Sequence, residues 1–163
     1  MIGLGVVLTI AVLASASTLV ACRGADNDTT APPKRMDTSP GRTDDMNITL
    51  SFNDTELRAT LVDSGTTQDF LSLLPLTLML SDYREIEKIS DLPRQLSTAG
   101  APDGHDPQVG DITYFAPWGH LAIFYEDFDY SPGLVKLGGI DSGIEALAGS
   151  SGEVTVTISR STR

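Results

Sequence analysis

The segment GDITYFAPWGHLAIFY, residues 110–125, is the densest aromatic stretch of this 163-residue chain. Six of its residues carry an aromatic or imidazole ring, and one of them is the chain's single tryptophan, Trp118. Residues 111–115 alternate between two faces, and a second apolar run covers residues 120–125. Two such runs around a Pro-Trp-Gly turn predict a β-hairpin.

This hairpin has two interpretations. In the first it only fills a core, and alternation then points Phe115, Leu121 and Ile123, or their partners, inward. In the second, the side chains left facing outward line a groove for a peptide or a small apolar ligand. The candidates for that groove on the hairpin and in the following loop are Tyr114, Trp118, His120, Phe124 and Tyr130.

Alternating and apolar runs predict further strands in the rest of the domain. Two alternating runs around Asn53-Asp54 predict a hairpin in residues 47–61. Further strands are predicted at residues 76–80, 134–140 and 153–159. Residues 81–97 are ambiguous between strand with loop and a helical turn, and residues 98–111 are predicted as loop because they are rich in glycine and proline.

Two short helices complete the prediction. The first has Thr67 as its N-cap and ends at Pro75, which cannot continue a helix. The second has Asp141 or Ser142 as its cap and ends before Gly149. Seven or eight short strands and two short helices in about 115 residues predict a mainly β domain, a small barrel or sandwich with helices at its ends.

The charge of the chain restricts its partners. The sequence has 22 acidic and 11 basic residues, a formal net charge of −11. Binding of nucleic acid requires a basic surface that releases counterions, and the sequence contains no basic run. We therefore expect no nucleic-acid partner. The acidic residues are dispersed, as is typical of a solvated surface.

An apolar run occupies residues 2–21, directly before the single cysteine, Cys22. Its length is near that of a membrane span, so an uncleaved anchor or a buried core helix are alternatives. Its small residues at the end favour a signal peptide, although no Lys or Arg precedes it. Residues 19–22, LVAC, resemble the lipobox of bacterial lipoproteins, which implies cleavage before Cys22 and lipidation of that residue.

The segment that follows, residues 22–46, is rich in Asp, Thr, Pro and Gly and predicts a disordered tether. Residues 1–21 are thus expected to be a lipoprotein signal peptide, and residues 47–163 the folded domain. The expected location is extracytoplasmic, with the membrane as a partner through the lipid on Cys22.

Four stretches resemble the bacterial cyclophilin-like family: FLSLLPLTLML, LPRQLS, VGDITYFAPWGHLAIFY and LVKLGGIDSGIEAL. The resemblance covers residues 48–159 and implies a small closed cyclophilin-like β-barrel of about eight strands with two short helices. Relatives of this kind sometimes accompany flavodoxin-like proteins, which implies a redox connection.

Cyclophilins isomerise X–Pro bonds, whose uncatalysed barrier is about 20 kcal/mol. In those enzymes the catalytic arginine follows Phe-His on the strand after the first helix, and here residues 76–80 contain no arginine. No catalytic residue is therefore carried over. Arg94 is a groove candidate by its position in a loop.

Other chemistries have weaker signals. His105 and His120 do not have metal-ligand spacing, although His105 lies among carboxylates where a weak cation site is one interpretation and a solvated loop histidine is the other. The sequence contains no phosphate-binding G-x-x-x-x-G-K and no G-x-S-x-G, and Ser142 is better explained as a helix cap. We predict no metal and no cofactor.

Three hypotheses remain. The favoured one is a lipid-anchored, non-enzymatic binding module for a peptide or a small ligand. The second is a prolyl isomerase with a non-standard active site, which would need Arg94 near an apolar pocket. The third is a redox accessory protein that binds a flavodoxin-like partner or a flavin through Trp118 and Tyr130, against which the acidic surface argues because it repels an acidic partner.

Overall fold

The computed structural model describes residues 46–161. The predicted signal peptide, the lipidation site Cys22 and the tether up to residue 45 lie outside the described residues. Met46, which we placed at the end of the tether, is buried and packs in the core. No helix within the described part of the chain is both long and apolar enough to span a membrane.

Eight strands form a closed antiparallel barrel in the order β1-β10-β3-β4-β7-β6-β9-β2, which confirms the predicted fold class. The barrel strands are β1 Asn47–Phe52, β2 Thr55–Leu61, β3 Leu76–Tyr83, β4 Glu87–Asp91, β6 Asp111–Phe115, β7 His120–Phe124, β9 Leu134–Ile140 and β10 Val154–Arg160. A separate pair joins β5 Gly104–His105 to β8 Ser131–Pro132, and the helices are α1 Gly65–Leu71 and α2 Ile144–Ala148.

The core follows from strand alternation. Ile48, Leu50 and Phe52 of β1 are buried, and the residues between them are partly exposed. β10 repeats the pattern with Val154, Val156 and Ile158. Inward residues of this kind form one continuous apolar cluster inside the barrel.

In the central hairpin, Leu121 and Ile123 face inward, and on β6 the neighbour of Phe115 does so in its place. Tyr114 is 1% exposed and packs in the barrel core, and Phe115 faces outward. The pairing explains this, because directly opposed residues of antiparallel strands share a face. Tyr114 pairs with the inward Leu121, and Phe115 pairs with His120.

The ambiguous segment forms a third hairpin. β3 continues to Tyr83, the chain turns at Arg84 and Glu85, and β4 starts at Glu87. Arg84 and Glu85 have φ angles of 57° and 60°, in the left-handed region that makes so tight a reversal possible. The segment predicted as loop at residues 98–111 contains the two-residue strand β5.

The helix caps differ from those predicted. The N-cap of α1 is Ser64, whose hydroxyl accepts a hydrogen bond of 3.1 Å from the Thr67 amide, and the helix ends at Leu71. The N-cap of α2 is Gly143, with φ of 85° and no side-chain cap bond. Neither Asp141 nor Ser142 caps α2, because the chain enters this helix through a left-handed residue.

Candidate functional site

A second apolar cluster lies on the outside of the barrel, separate from the core. Its fully covered members are Ala122, Phe124 and Leu134, and Ile86, Ile89 and Phe115 pack against them. An outer sheet face normally carries polar residues, so apolar side chains here indicate a surface that is covered or that takes a ligand.

This cluster is the floor of a concavity of about 610 Å³, part of which is open to solvent. Strand register explains why its side chains converge. Tyr83 of β3 pairs with Glu87 of β4, which pairs with Phe124 of β7. Phe115 of β6 pairs with both His120 of β7 and Leu134 of β9. Five neighbouring strands thus present outward side chains to one hollow.

Trp118 forms one wall. It lies in the turn between β6 and β7, where its amide donates to the Phe115 carbonyl at 3.3 Å. Its ring meets the rings of Phe115 and His120 edge-on at 5.4 Å each, and that of Tyr83 at 6.4 Å. Trp118 remains 61% exposed, so a large apolar surface faces the hollow and the solvent. Phe128, from the loop before β8, also lines the concavity.

Glu87 is the carboxyl group of the concavity. Burial raises its pKa to about 7, and the Arg84 cation opposes this only in part. Hydrogen bonds to a carboxylate would lower its pKa. The raised pKa therefore indicates that the Glu87 carboxyl group has lost water and has gained no hydrogen-bond donor in its place. Within residues 46–161, no donor forms a hydrogen bond or an ion pair with this carboxyl group.

His120 also lines the hollow and is 6% exposed. Burial lowers its pKa, and the nearby Asp91 opposes the change. The imidazole is therefore neutral at pH 7. The tilted ring of Phe115, 5.5 Å away, holds it in place.

Arg84 is exposed at the rim, and its guanidinium lies 5.3 Å from the centre of the Tyr83 ring. This cation–π contact orients the arginine along the edge of the concavity. Arg84 and Glu87 form no ion pair within the described part of the chain.

The structure brings together three of the six predicted groove residues. Trp118, His120 and Phe124 all line the concavity. Tyr114 does not, because it lies inside the barrel, where its hydroxyl accepts a 3.1 Å hydrogen bond from the Leu96 amide. Tyr130 is exposed and packs against Gly104, where a methyl group would meet the Tyr130 hydroxyl at 2.6 Å.

Arg94 is also elsewhere. Its guanidinium donates to the Asp69 carboxylate at 3.0 Å and to the Ser72 hydroxyl at 2.9 Å, and so ties the loop after β4 to α1. This guanidinium and the Ser97 amide hold the pKa of Asp69 at about 2. Arg94 is not among the residues that line the aromatic concavity.

His105 belongs to a small ion cluster. Its Nε2 lies 2.7 Å from the Asp111 carboxylate, and Lys136 Nζ lies 2.6 Å from the other oxygen of that carboxylate. The described residues contain no group of three His, Cys, Asp or Glu side chains arranged to hold a metal ion. Asp111 thus has two partners from the protein itself, the Lys136 cation and the His105 imidazole.

Sequence reasoning missed Tyr83, Arg84 and Glu87, which contribute one side of the concavity. They lie in the segment that was ambiguous between strand and helix. A hairpin assignment would have placed Glu87 opposite Tyr83, but the pattern there is misleading because Ile89 faces outward and Lys88 is buried.

The comparisons agree with this architecture. The sequence model described as the cyclophilin-like family matches residues 50–159, so the chain belongs to the cyclophilin-like family. The resemblance predicted from the four sequence stretches is therefore confirmed.

A solved structure of the same architecture is the solution structure of the hypothetical protein AF2241 from Archaeoglobus fulgidus. It is 16% identical, with a TM-score of 0.55, and the match covers 74% of this chain and 98% of that one. At this identity the likeness shows the fold alone. No curated protein matches the chain.

Proposed function

We propose that this cyclophilin-like domain is an extracytoplasmic binding module that takes a small ligand or peptide side chain in the aromatic concavity on its outer face. The observation that carries this proposal is the apolar cluster outside the barrel. Its floor is fully covered, yet Trp118 and Phe128 at its edge stay 61% and 41% exposed. Pockets with apolar walls and a few polar groups are the usual form of a small-ligand site.

The single tryptophan makes the proposal testable. A titration of the chain with 2-phenylethanol, followed by tryptophan emission, should give a saturable blue shift because the probe removes water from Trp118. At about 0.4–0.5 kcal/mol per non-hydrogen atom, the expected Kd is about 1 mM. A linear response without saturation would contradict the proposal.

A matched pair of variants locates the site. Phe128→Ala removes an exposed side chain that lines the concavity, and we expect the Kd to rise about fivefold. Val109→Ala removes an exposed side chain that does not line it, and the Kd should be unchanged. Equal Kd values for the two variants would place the probe elsewhere.

We further propose that lipid on Cys22 anchors this module to a membrane, which rests on the LVAC sequence and the apolar run before it. In a bacterial host given labelled palmitate, the chain should become labelled and the Cys22→Ser variant should not. Because Cys22 is the single cysteine, this variant is a clean control. An unlabelled chain that keeps residues 1–21, as shown by its mass, would contradict the anchoring proposal.

One observation favours a second candidate, the prolyl isomerase. Arg84 places a guanidinium at the rim of the apolar concavity, the combination that stabilises a rotating X–Pro bond. An isomerase of this kind accelerates cis–trans exchange of a capped Ala-Pro peptide, and Arg84→Ala abolishes that acceleration. Arg94→Ala is the matched control, since Arg94 pairs with Asp69. Exchange at the uncatalysed rate would exclude this candidate.

A further inference from the structure

The concavity contains a carboxyl group that no hydrogen bond or ion pair of the described residues stabilises. Glu87 is half-buried among aromatic side chains, and no described residue donates a hydrogen bond to it. A carboxylate in such a place is costly unless an opposite charge or a donor compensates for the lost water. Its position beside Phe124 and Tyr83 in the strand register directs it toward the hollow.

The protein's own cations within the described residues form no hydrogen bond and no ion pair with this carboxyl group, and the charge of Arg84 acts on it only from a distance. Arg84 is exposed at the turn and lies over the Tyr83 ring, where water and the ring already stabilise its charge. Lys88, next in sequence, is buried on the other face of β4 and donates to the Ser150 carbonyl at 2.7 Å and to Asp82 at 2.9 Å. Neither cation forms an ion pair with Glu87.

The walls around Glu87 also favour a positive charge. Trp118, Phe115 and Tyr83 line the same hollow, and Arg84 already lies 5.3 Å from the centre of the Tyr83 ring, as expected where aromatic rings attract cations. The net charge of −11 raises the concentration of cations near the surface. An apolar floor of Phe124 and Leu134 requires that the cation also carry a hydrocarbon body.

We infer that the natural ligand of the concavity is a small organic ammonium ion with an aromatic or aliphatic body, whose positive group pairs with Glu87. This inference rests on the binding function proposed above and names its ligand class. The ammonium ion pairs with the ionised carboxylate, so where Glu87 is still protonated its proton leaves to the solvent on binding, and the two charges then compensate each other.

Binding should therefore depend on pH. The titratable or charged groups that share the concavity with Glu87 are Tyr83 from β3, Arg84 from the β3–β4 turn and His120 from β7. Phe115 and Leu134, the lining residues from β6 and β9, do not titrate. With the pKa of Glu87 at about 7, the ionised fraction rises about tenfold between pH 6 and pH 8, and ammonium affinity should rise by the same factor.

The test compares three probes that share a phenyl ring on a short side chain. They are added to the full chain in a non-ionic detergent at pH 8, and binding is monitored by Trp118 emission. The probes are the cation 2-phenylethylamine, the neutral 2-phenylethanol and the anion 3-phenylpropionate. We expect the amine to bind at least about tenfold more tightly than the alcohol, as is typical of a desolvated charge pair. Glu87→Gln should bring this ratio to about one and abolish the rise between pH 6 and pH 8. Glu56→Gln, an exposed glutamate on β2, should keep both.

The possible results separate the two claims. Equal binding of amine and alcohol would overturn the ammonium inference and leave the binding function standing. Tightest binding of the propionate would overturn it in favour of an anion site at Arg84. A pH dependence that survives in Glu87→Gln would overturn it by making His120 the titrating group. Saturable binding of none of the three would overturn the proposed binding function itself.

Discussion

At the scale of single residues, the site depends on which side chains lose water without gaining a partner. Tyr114 and Glu87 are opposite cases. The Tyr114 hydroxyl is buried but accepts a hydrogen bond from the Leu96 amide. Glu87 has no such partner among the described residues, and its pKa is about 7. One side chain stabilises the barrel, and the other is available to a ligand.

Glu87 should make the stability of the free protein depend on pH. Its carboxyl group holds a proton more tightly when folded than in the unfolded chain, where its pKa is near 4.5. The free energy of unfolding therefore falls as pH rises from about 4.5 to about 7. Glu87→Gln removes this term, so the variant should gain about 1–2 kcal/mol relative to the wild type between pH 5 and pH 8, after allowance for remaining solvent contact.

Urea unfolding at pH 5 and pH 8 measures this gain. Glu56→Gln serves as the control, because Glu56 is exposed on β2. Its replacement should change the free energy of unfolding by the same amount at pH 5 and at pH 8. A constant difference between Glu87→Gln and the wild type at the two pH values would show that Glu87 is not desolvated in the folded state.

Tyr114→Phe tests the assignment of this residue to the core. The variant keeps the ring but leaves the buried Leu96 amide without its acceptor, which should lower the free energy of unfolding by about 1–3 kcal/mol. The affinity for 2-phenylethanol should stay the same, because Tyr114 does not line the concavity. Unchanged stability together with weaker probe binding would return Tyr114 to the groove.

At the scale of elements, the predictable parts are those with clear alternation. The hairpins at residues 47–61 and 110–125 and strands β9 and β10 form where they were predicted. The hairpin of β3 and β4 was not predicted, because its alternation is inverted. Lys88 is 1% exposed and Ile89 faces outward, so apolar character does not mark the inner face there. Lys88 lies in the barrel with its ammonium group bound to the Ser150 carbonyl and to Asp82, and an apolar pattern does not reveal such contacts.

The glycine pair in β9 gives an element-level prediction. At Gly138 a Cβ atom would lie 2.5 Å from the Thr60 carbonyl oxygen and 2.7 Å from Leu61 Cα, where β9 meets β2. Gly138→Ala should therefore destabilise the protein by about 2–3 kcal/mol through displacement of backbone at this seam. At the adjacent Gly139 a Cβ atom has its nearest contact at 3.7 Å.

Thermal unfolding of the two alanine variants provides the measurement. Gly139→Ala should have a melting temperature within a few degrees of the wild type, whereas Gly138→Ala should melt about 8–15 °C lower. Similar melting temperatures for both variants would mean that β9 and β2 are not in the close contact seen at this seam.

At the scale of the whole molecule, the strand count predicted a barrel or a sandwich, and the order of elements along the chain with the cyclophilin-like resemblance predicted the closed barrel. Only about half of the residues that line the concavity could be predicted from the sequence. The aromatic hairpin contributes Trp118, His120 and Phe124, which the sequence places together. Tyr83 and Glu87 come from strands that lie beside the hairpin only after the barrel closes in the order β3-β4-β7-β6. No local pattern encodes that neighbourhood, so the carboxyl group of the site could not be found from the sequence.

The central claim is that the outer aromatic concavity is a ligand site, and two-dimensional ¹⁵N–¹H NMR of the chain titrated with 2-phenylethylamine tests it most directly. The single indole N–H signal belongs to Trp118, since the chain has one tryptophan. We predict a saturable shift of this signal, together with shifts of the amides of Glu87, Phe124 and Ser131, which line the same hollow. Saturable shifts confined to residues away from it, such as Gly65 and His105, or no saturable shift at all, would contradict the claim.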